Sequence, residues 1–155
     1  MFKKRAAKAL ATAAAVPALL IGFTGAAHAN GTITWKNGAN GQCCFLGSQP
    51  AGGAVGASTV GWEWHDVQNS DGTWNEVDRF GRCLTGYGSQ AYTENCNSGQ
   101  DGTNSYQRWR EVYAGSGFKL QNVQSGGFLD WAGTYNVGSV YVNGTDYNNQ
   151  NQRWY

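Results

Sequence analysis

After its first 29 positions the sequence holds one histidine, His65, and no apolar run long enough to cross a membrane. It also lacks a basic excess there: Lys36, Arg79, Arg82, Arg108, Arg110, Lys119 and Arg153 face ten acidic residues, a net of −3. Nothing in that balance draws a phosphate backbone, so nucleic acid is excluded as a partner. There is no C-x-x-C pair joined by further Cys or His, so no zinc site, other metal or cofactor is expected. No segment holds a 3.6-residue period through three turns, which excludes long helices.

What stands in the first 29 positions has the layout of an export signal. Lys3, Lys4, Arg5 and Lys8 form a charged start, residues 9–23 a mostly apolar middle, and Ala27-His28-Ala29 a small-x-small cleavage site. The middle falls short of the roughly 18–20 residues of a spanning helix and is broken by Thr12 and Pro17. A secreted, extracellular protein of residues 30–155 is therefore expected, long enough for one domain.

Gly, Asn, Ser and Thr are abundant there, with Trp and Tyr plentiful, which suits short strands joined by tight turns. "FKLQNV" (118–123) and "SVYVNG" (139–144) alternate over short runs. The class expected is all-β. A repeat organises it: "WEWHD" (62–66), "YQRWR" (106–110) and "NQRWY" (151–155) place Trp64, Trp109 and Trp154 at equal intervals. Counting back 26 positions from Trp109 and from Trp154 reaches Gly81-Arg82-Cys83-Leu84-Thr85 and Gly126-Gly127-Phe128-Leu129-Asp130. The first copy keeps its Trp, but Trp62 sits where Gln107 and Gln152 do, and "GQCCFLG" (41–47) stands where "GRCLTG" (81–86) would.

On these motifs the chain resembles a ricin-type β-trefoil, the lectin fold of three Gln-x-Trp repeats, over essentially all of residues 30–155. The resemblance implies three pseudo-repeats, about 30–67, 68–112 and 113–155, with four strands each about a common axis. The physics points the same way, since one such unit cannot bury its apolar face alone. Trp64, Trp109 and Trp154 are the expected core, with Leu84, Leu120 and Leu129 beside them. The family's Gln is expected to bond backbone and hold its hairpin. Residues 47–59, "GSQPAGGAVGAST", read as a loop insertion in the first copy.

Four cysteines in an exported chain read as disulfides. The resemblance implies a Cys83–Cys96 bridge within the second repeat. Cys43 and Cys44 then pair with each other, stay reduced or link to another chain, unless one of them crosses to the second repeat.

Sugars need a carboxylate or amide for their hydroxyls and an aromatic plane for their C–H face. By the resemblance the third repeat fits best, with Asp130, Asn151 and Gln152 as polar anchors. Trp131, Tyr135 or Tyr141 supplies the plane, Asn143 standing where the family has an aromatic; Trp131 reads as the freest of the seven tryptophans. Alone, Asp130 is equally a solvated cap for "AGTYN". The second repeat has Thr85 and Tyr106 at the Asp and Asn positions; Glu94 and Tyr92 lie nearby without restoring the pattern. The first has Phe45 or Leu46 at the Asp position, depending on which of Cys43 and Cys44 takes the register of Cys83.

No enzyme is expected. His65 directly follows a core Trp, Glu63 and Asp66 flank it, and alternation along a strand splits adjacent residues between faces. The expectation is a monomeric, non-catalytic, lectin-like protein binding a glycan or polysaccharide at its third repeat. The alternative is a secreted trefoil that binds a protein partner.

Overall fold

The computed structural model describes residues 30–39, 44–97 and 104–155. The expected signal peptide, 1–29, and Cys43 lie outside the described residues. Short strands follow one another: β1 Thr32–Ile33, β2 Phe45–Gly47, β3 Gly53–Ala54, β4 Gly56–Ser58, β5 Trp64–Gln68, β6 Trp74–Asp78, β7 Arg82–Tyr87, β8 Gln90–Asn95, β9 Trp109–Tyr113, β10 Phe118–Asn122, β11 Phe128–Trp131 and β12 Val140–Asn143. The described residues contain no α-helix, only single 3₁₀ turns at Ser105–Gln107 and Gln150–Gln152. The chain is all-β, as its alternating runs imply.

Strands β6, β7, β8, β12, β11, β10 and β9 pair in that order, and β9 pairs back onto β6. A sheet closed in this way has no free edge along that ring. Its interior holds Trp64, Trp109 and Trp154, all fully buried in one cluster with Leu84, Leu120 and Leu129. A buried indole N–H must find an acceptor, and the three find equivalent ones. Trp64 Nε1 donates to the Leu46 carbonyl at 3.0 Å, Trp109 Nε1 to that of Leu84 at 2.9 Å, and Trp154 Nε1 to that of Leu129 at 3.1 Å. Each tryptophan also pairs across to a short polar residue: Trp64 with Asp78, Trp109 with Asn122, Trp154 with Asn37. The Asn37 and Asn122 side-chain amides then donate to the Asn151 and Tyr106 carbonyls, at 2.7 and 2.8 Å. A fourth buried indole, Trp35, donates to Glu76 Oε2 at 2.7 Å.

Three expectations are corrected. Neither Phe45 nor Leu46 holds the Asp position of the first repeat: Leu46 takes the place of Leu84 and Leu129, because its carbonyl receives the indole, and the residue equivalent to Asp130 is Gly47. Residues 47–59 are no insertion but the first repeat's hairpin: β3 pairs with β8, β4 with β2, and Val55 is in the core. Glycine is needed where chains meet closely, since a Cβ on Gly56 would lie 2.3 Å from the Asn136 carbonyl oxygen. Trp131 is not free. It is 4% exposed, within the core cluster, and donates Nε1 to the Thr134 carbonyl at 2.7 Å. Trp62, partly exposed, lies over Arg79 with the guanidinium 4.4 Å from its ring centre.

Candidate functional site

In the third repeat β11 and β12 set Asp130 directly opposite Tyr141 and Phe128 opposite Asn143, so all four side chains share one face. Asp130 Oδ2 accepts from the amides of Asn143 at 3.1 Å, Asn149 at 3.0 Å and Gln152 at 3.0 Å. Its other oxygen, Oδ1, is buried and meets no donor among the described residues. The carboxylate is 1% exposed, which removes its reading as a solvated cap. Burial, then the Asp130 charge, pushes the Tyr141 phenol up, and a hydrogen bond with Asn143 works the other way. Asn143 itself is exposed and lines an open cleft of about 410 Å³ with Ser125, Gly126 and Gly127.

Of the residues expected from the sequence, Asp130, Tyr141, Asn143 and Gln152 come together. Trp131 follows Asp130 on the strand but is spent on the core. Tyr135 lies edge-on to Trp131, ring centres 5.8 Å apart. Asn151 is not among the donors to Asp130; its carbonyl receives Asn37 and its N–H caps onto Asn149 Oδ1 at 2.9 Å. The amide that reaches Asp130 belongs instead to Asn149, whose side chain starts the 3₁₀ turn. The Asn104 of the second repeat, 45 positions earlier and capping the equivalent turn, was the available signal.

Gln152 is a structural clamp as well. Its Oε1 accepts the Asp146 N–H at 3.2 Å and Lys119 Nζ at 3.3 Å, and its Nε2 also donates to the Gly144 carbonyl at 2.7 Å. Burial first, then Arg153, pulls the Lys119 ammonium down.

Gln107 does the same work in the second repeat: Oε1 accepts Asn97 N–H at 2.9 Å, and Nε2 donates to the Asn95 carbonyl at 3.0 Å. It also finds a carboxylate. With Thr85 at the position of Asp130, Nε2 reaches Glu94 Oε1 at 3.2 Å, on the opposite strand. The sequence reading missed this because Glu94 replaces Asn143, not Asp130, and only strand register reveals the exchange. The bridge expected here, Cys83–Cys96, is formed. Cys44 is disulfide-bonded too.

His65 is exposed, with Nδ1 3.2 Å from Thr32 Oγ1. A group of acids lies elsewhere: Asp66, Glu76 and Glu111 hold oxygens within 4.8 Å of one another. Burial first, then Asp66, raises Glu76 well above the usual carboxylate range and Glu111 to about 7. Trp35 occupies one Glu76 oxygen. Of the three, Glu76 is fully buried, and its burial favours the protonated form.

No family model matches the sequence, and no curated protein matches it. Solved structures do share the fold. The designed 3-fold symmetric protein ThreeFoil is 21% identical, with 78% of this chain and 95% of that one covered and a TM-score of 0.62. The hemolytic lectin CEL-III is 19% identical over 79% of this chain and 29% of its own, TM-score 0.60. A Clostridium perfringens endo-β-galactosidase that releases GlcNAcα1-4Gal is 14% identical over 80% of this chain and 31% of its own, TM-score 0.65. The fold of this chain fits a β-trefoil.

Proposed function

We propose that the chain is a secreted, non-catalytic β-trefoil module that binds carbohydrate at its third repeat. One observation carries the reading: three amides fix Asp130 Oδ2 while Oδ1 is left without a donor among the described residues. A carboxylate oriented by its own neighbours, with one oxygen unused, accepts a sugar hydroxyl once the side chains covering it move. Tyr141 offers the ring for the C–H face, and Asn143, exposed and lying against Asp130, turns aside to admit the ligand. A hexose of about twelve heavy atoms, at about −0.3 kcal/mol each, gains roughly −3.6 kcal/mol, a millimolar dissociation constant. The natural ligand is then a longer glycan or a polysaccharide.

The near-complete burial of Asp130 favours a second reading, a trefoil whose partner is a protein. A glycan array and a polysaccharide pull-down with the protein and its Asp130→Ala variant separate the two. Retention that is lost in the variant supports the third-repeat site. Retention by neither chain, with both folded by circular dichroism, overturns it in favour of the protein partner.

A further inference from the structure

The second repeat looks spent from its sequence, yet its hairpin carries a carboxylate and a cluster of rings on a single face. Register places Thr85 opposite Tyr92, Tyr87 opposite Gln90 and Cys83 opposite Glu94. Directly opposed residues, and those two apart on a strand, emerge on the same side. Thr85, Tyr87, Tyr92 and Glu94 therefore project together, and Tyr106 joins them from the 3₁₀ turn, its ring 5.3 Å from that of Tyr87.

Glu94 is placed as Asp130 is. Its Oε1 accepts Thr85 Oγ1 at 3.1 Å and Gln107 Nε2 at 3.2 Å. Its Oε2 has no hydrogen-bond donor among the described residues, and no cation there pairs with it. Two differences separate it from the third repeat. The acid comes from β8 instead of the strand before it, and it is only half-buried, so no side chain must move to uncover it. Tyr87 is 58% exposed. The Tyr92 phenol is pushed up by burial, then by Glu94, Tyr87 and Tyr106, which places all four groups within electrostatic reach. Beside this face Tyr92 also walls a cleft of about 490 Å³ with Gln90 and Tyr141, which Glu94, Tyr87 and Tyr106 do not line.

We propose that the second repeat holds a second polyol site, in which Glu94 accepts ligand hydroxyls and Tyr87, Tyr92 and Tyr106 supply the rings on which a sugar's C–H face rests. The acid has crossed to the neighbouring strand and the glutamine has followed it, so the site is complete without the family's aspartate. This rests on the ligand class proposed for the third repeat but not on that site's being open. With two sites on one scaffold, a branched or repeating glycan gains avidity over a single hexose.

The test starts with a glycan array on the protein, Asp130→Asn, Glu94→Gln and Tyr87→Ala, followed by nitrogen-15 amide titration with the oligosaccharide retained best. Glu94→Gln keeps an acceptor for Thr85 and Gln107 and removes the charge, and Tyr87→Ala alters an exposed ring, so both variants keep the fold. The expected result is two separate sets of shifting amides, around residues 85–94 and around 130–143. Glu94→Gln weakens the first set about tenfold or more and leaves the second; Tyr87→Ala does the same. Shifts confined to 130–143, unchanged in Glu94→Gln, overturn the second site and leave the third. Shifts confined to 85–94 support it while removing the third. No retention of any glycan by the protein overturns both.

Discussion

The first repeat and the other two build the same frame around different contents. In the second and third, a glutamine two places before the motif tryptophan clamps its hairpin and holds a carboxylate, Glu94 in one and Asp130 in the other. In the first, Trp62 takes the glutamine's place and lies against Arg79 and Phe80. Gly47, Gly56 and Ser58 stand where the third repeat has Asp130, Tyr141 and Asn143. A cation on an indole and a close-packed glycine hairpin thus replace an amide–carboxylate network. All three retain the bond from indole to leucine carbonyl, so that bond is the element the architecture requires, and the polar contents are what ligand binding is free to change.

That conclusion breaks most plainly at the tryptophans. Trp64→Ala and Trp109→Ala should each cost about 3–5 kcal/mol, with a similar fall in thermal midpoint, measured by calorimetry. A small loss at Trp64 beside a large one at Trp109 would mean that the first repeat is no equal partner in the core.

A smaller effect, of opposite sign, sits at Asp78. Asn37 and Asn122 each donate an amide to the carbonyl three places before the neighbouring tryptophan. Asp78 holds the equivalent position but has no donor: Oδ1 accepts the N–H groups of Phe80 and Arg82, both at 2.9 Å, and Oδ2 is buried with no partner among the described residues. Asp78→Asn keeps the first pair and turns an amide toward the carbonyl of Gly61, three places before Trp64. Stability by urea denaturation should rise by about 1 kcal/mol; a loss would show that the first repeat does not present that carbonyl.

A third effect is a pH slope. Glu76 and Glu111 are raised in the folded chain, Glu111 to about 7 from an ordinary 4.5. The folded state holds protons that the unfolded chain releases first. Stability is therefore full below 4.5 and is lost as pH rises through about 7. Glu111→Gln should flatten that fall in thermal midpoint, and an unchanged slope would place the titrating groups elsewhere.

The repeat was legible because large aromatics at a fixed phase leave few other arrangements, and Trp64, Trp109, Trp154, Leu84 and Leu129 all sit as that phase requires. The Gly- and Ala-rich hairpin was not, since residues without distinctive side chains show no alternation even when paired. Trp131 misled for a related reason: all four residues of β11 are buried, so its strand gives no polar face to read. Asn149 could be read only by matching it to Asn104 at the repeat interval, whereas Glu94 was hidden because its role depends on a partner across the strand, which spacing along the chain does not encode.

Lys36 and Tyr155 exchange two backbone hydrogen bonds, each 2.9 Å, and the Gly38 N–H reaches the Arg153 carbonyl at 2.8 Å. Segments separated by more than a hundred positions are thereby sewn side by side, and Trp154 reaches its place against Asn37 only when residues from both have been delivered. Assembly dominated by such distant meetings is slow, so this pairing closes late, once the segments around Lys36 and Tyr155 are both in place.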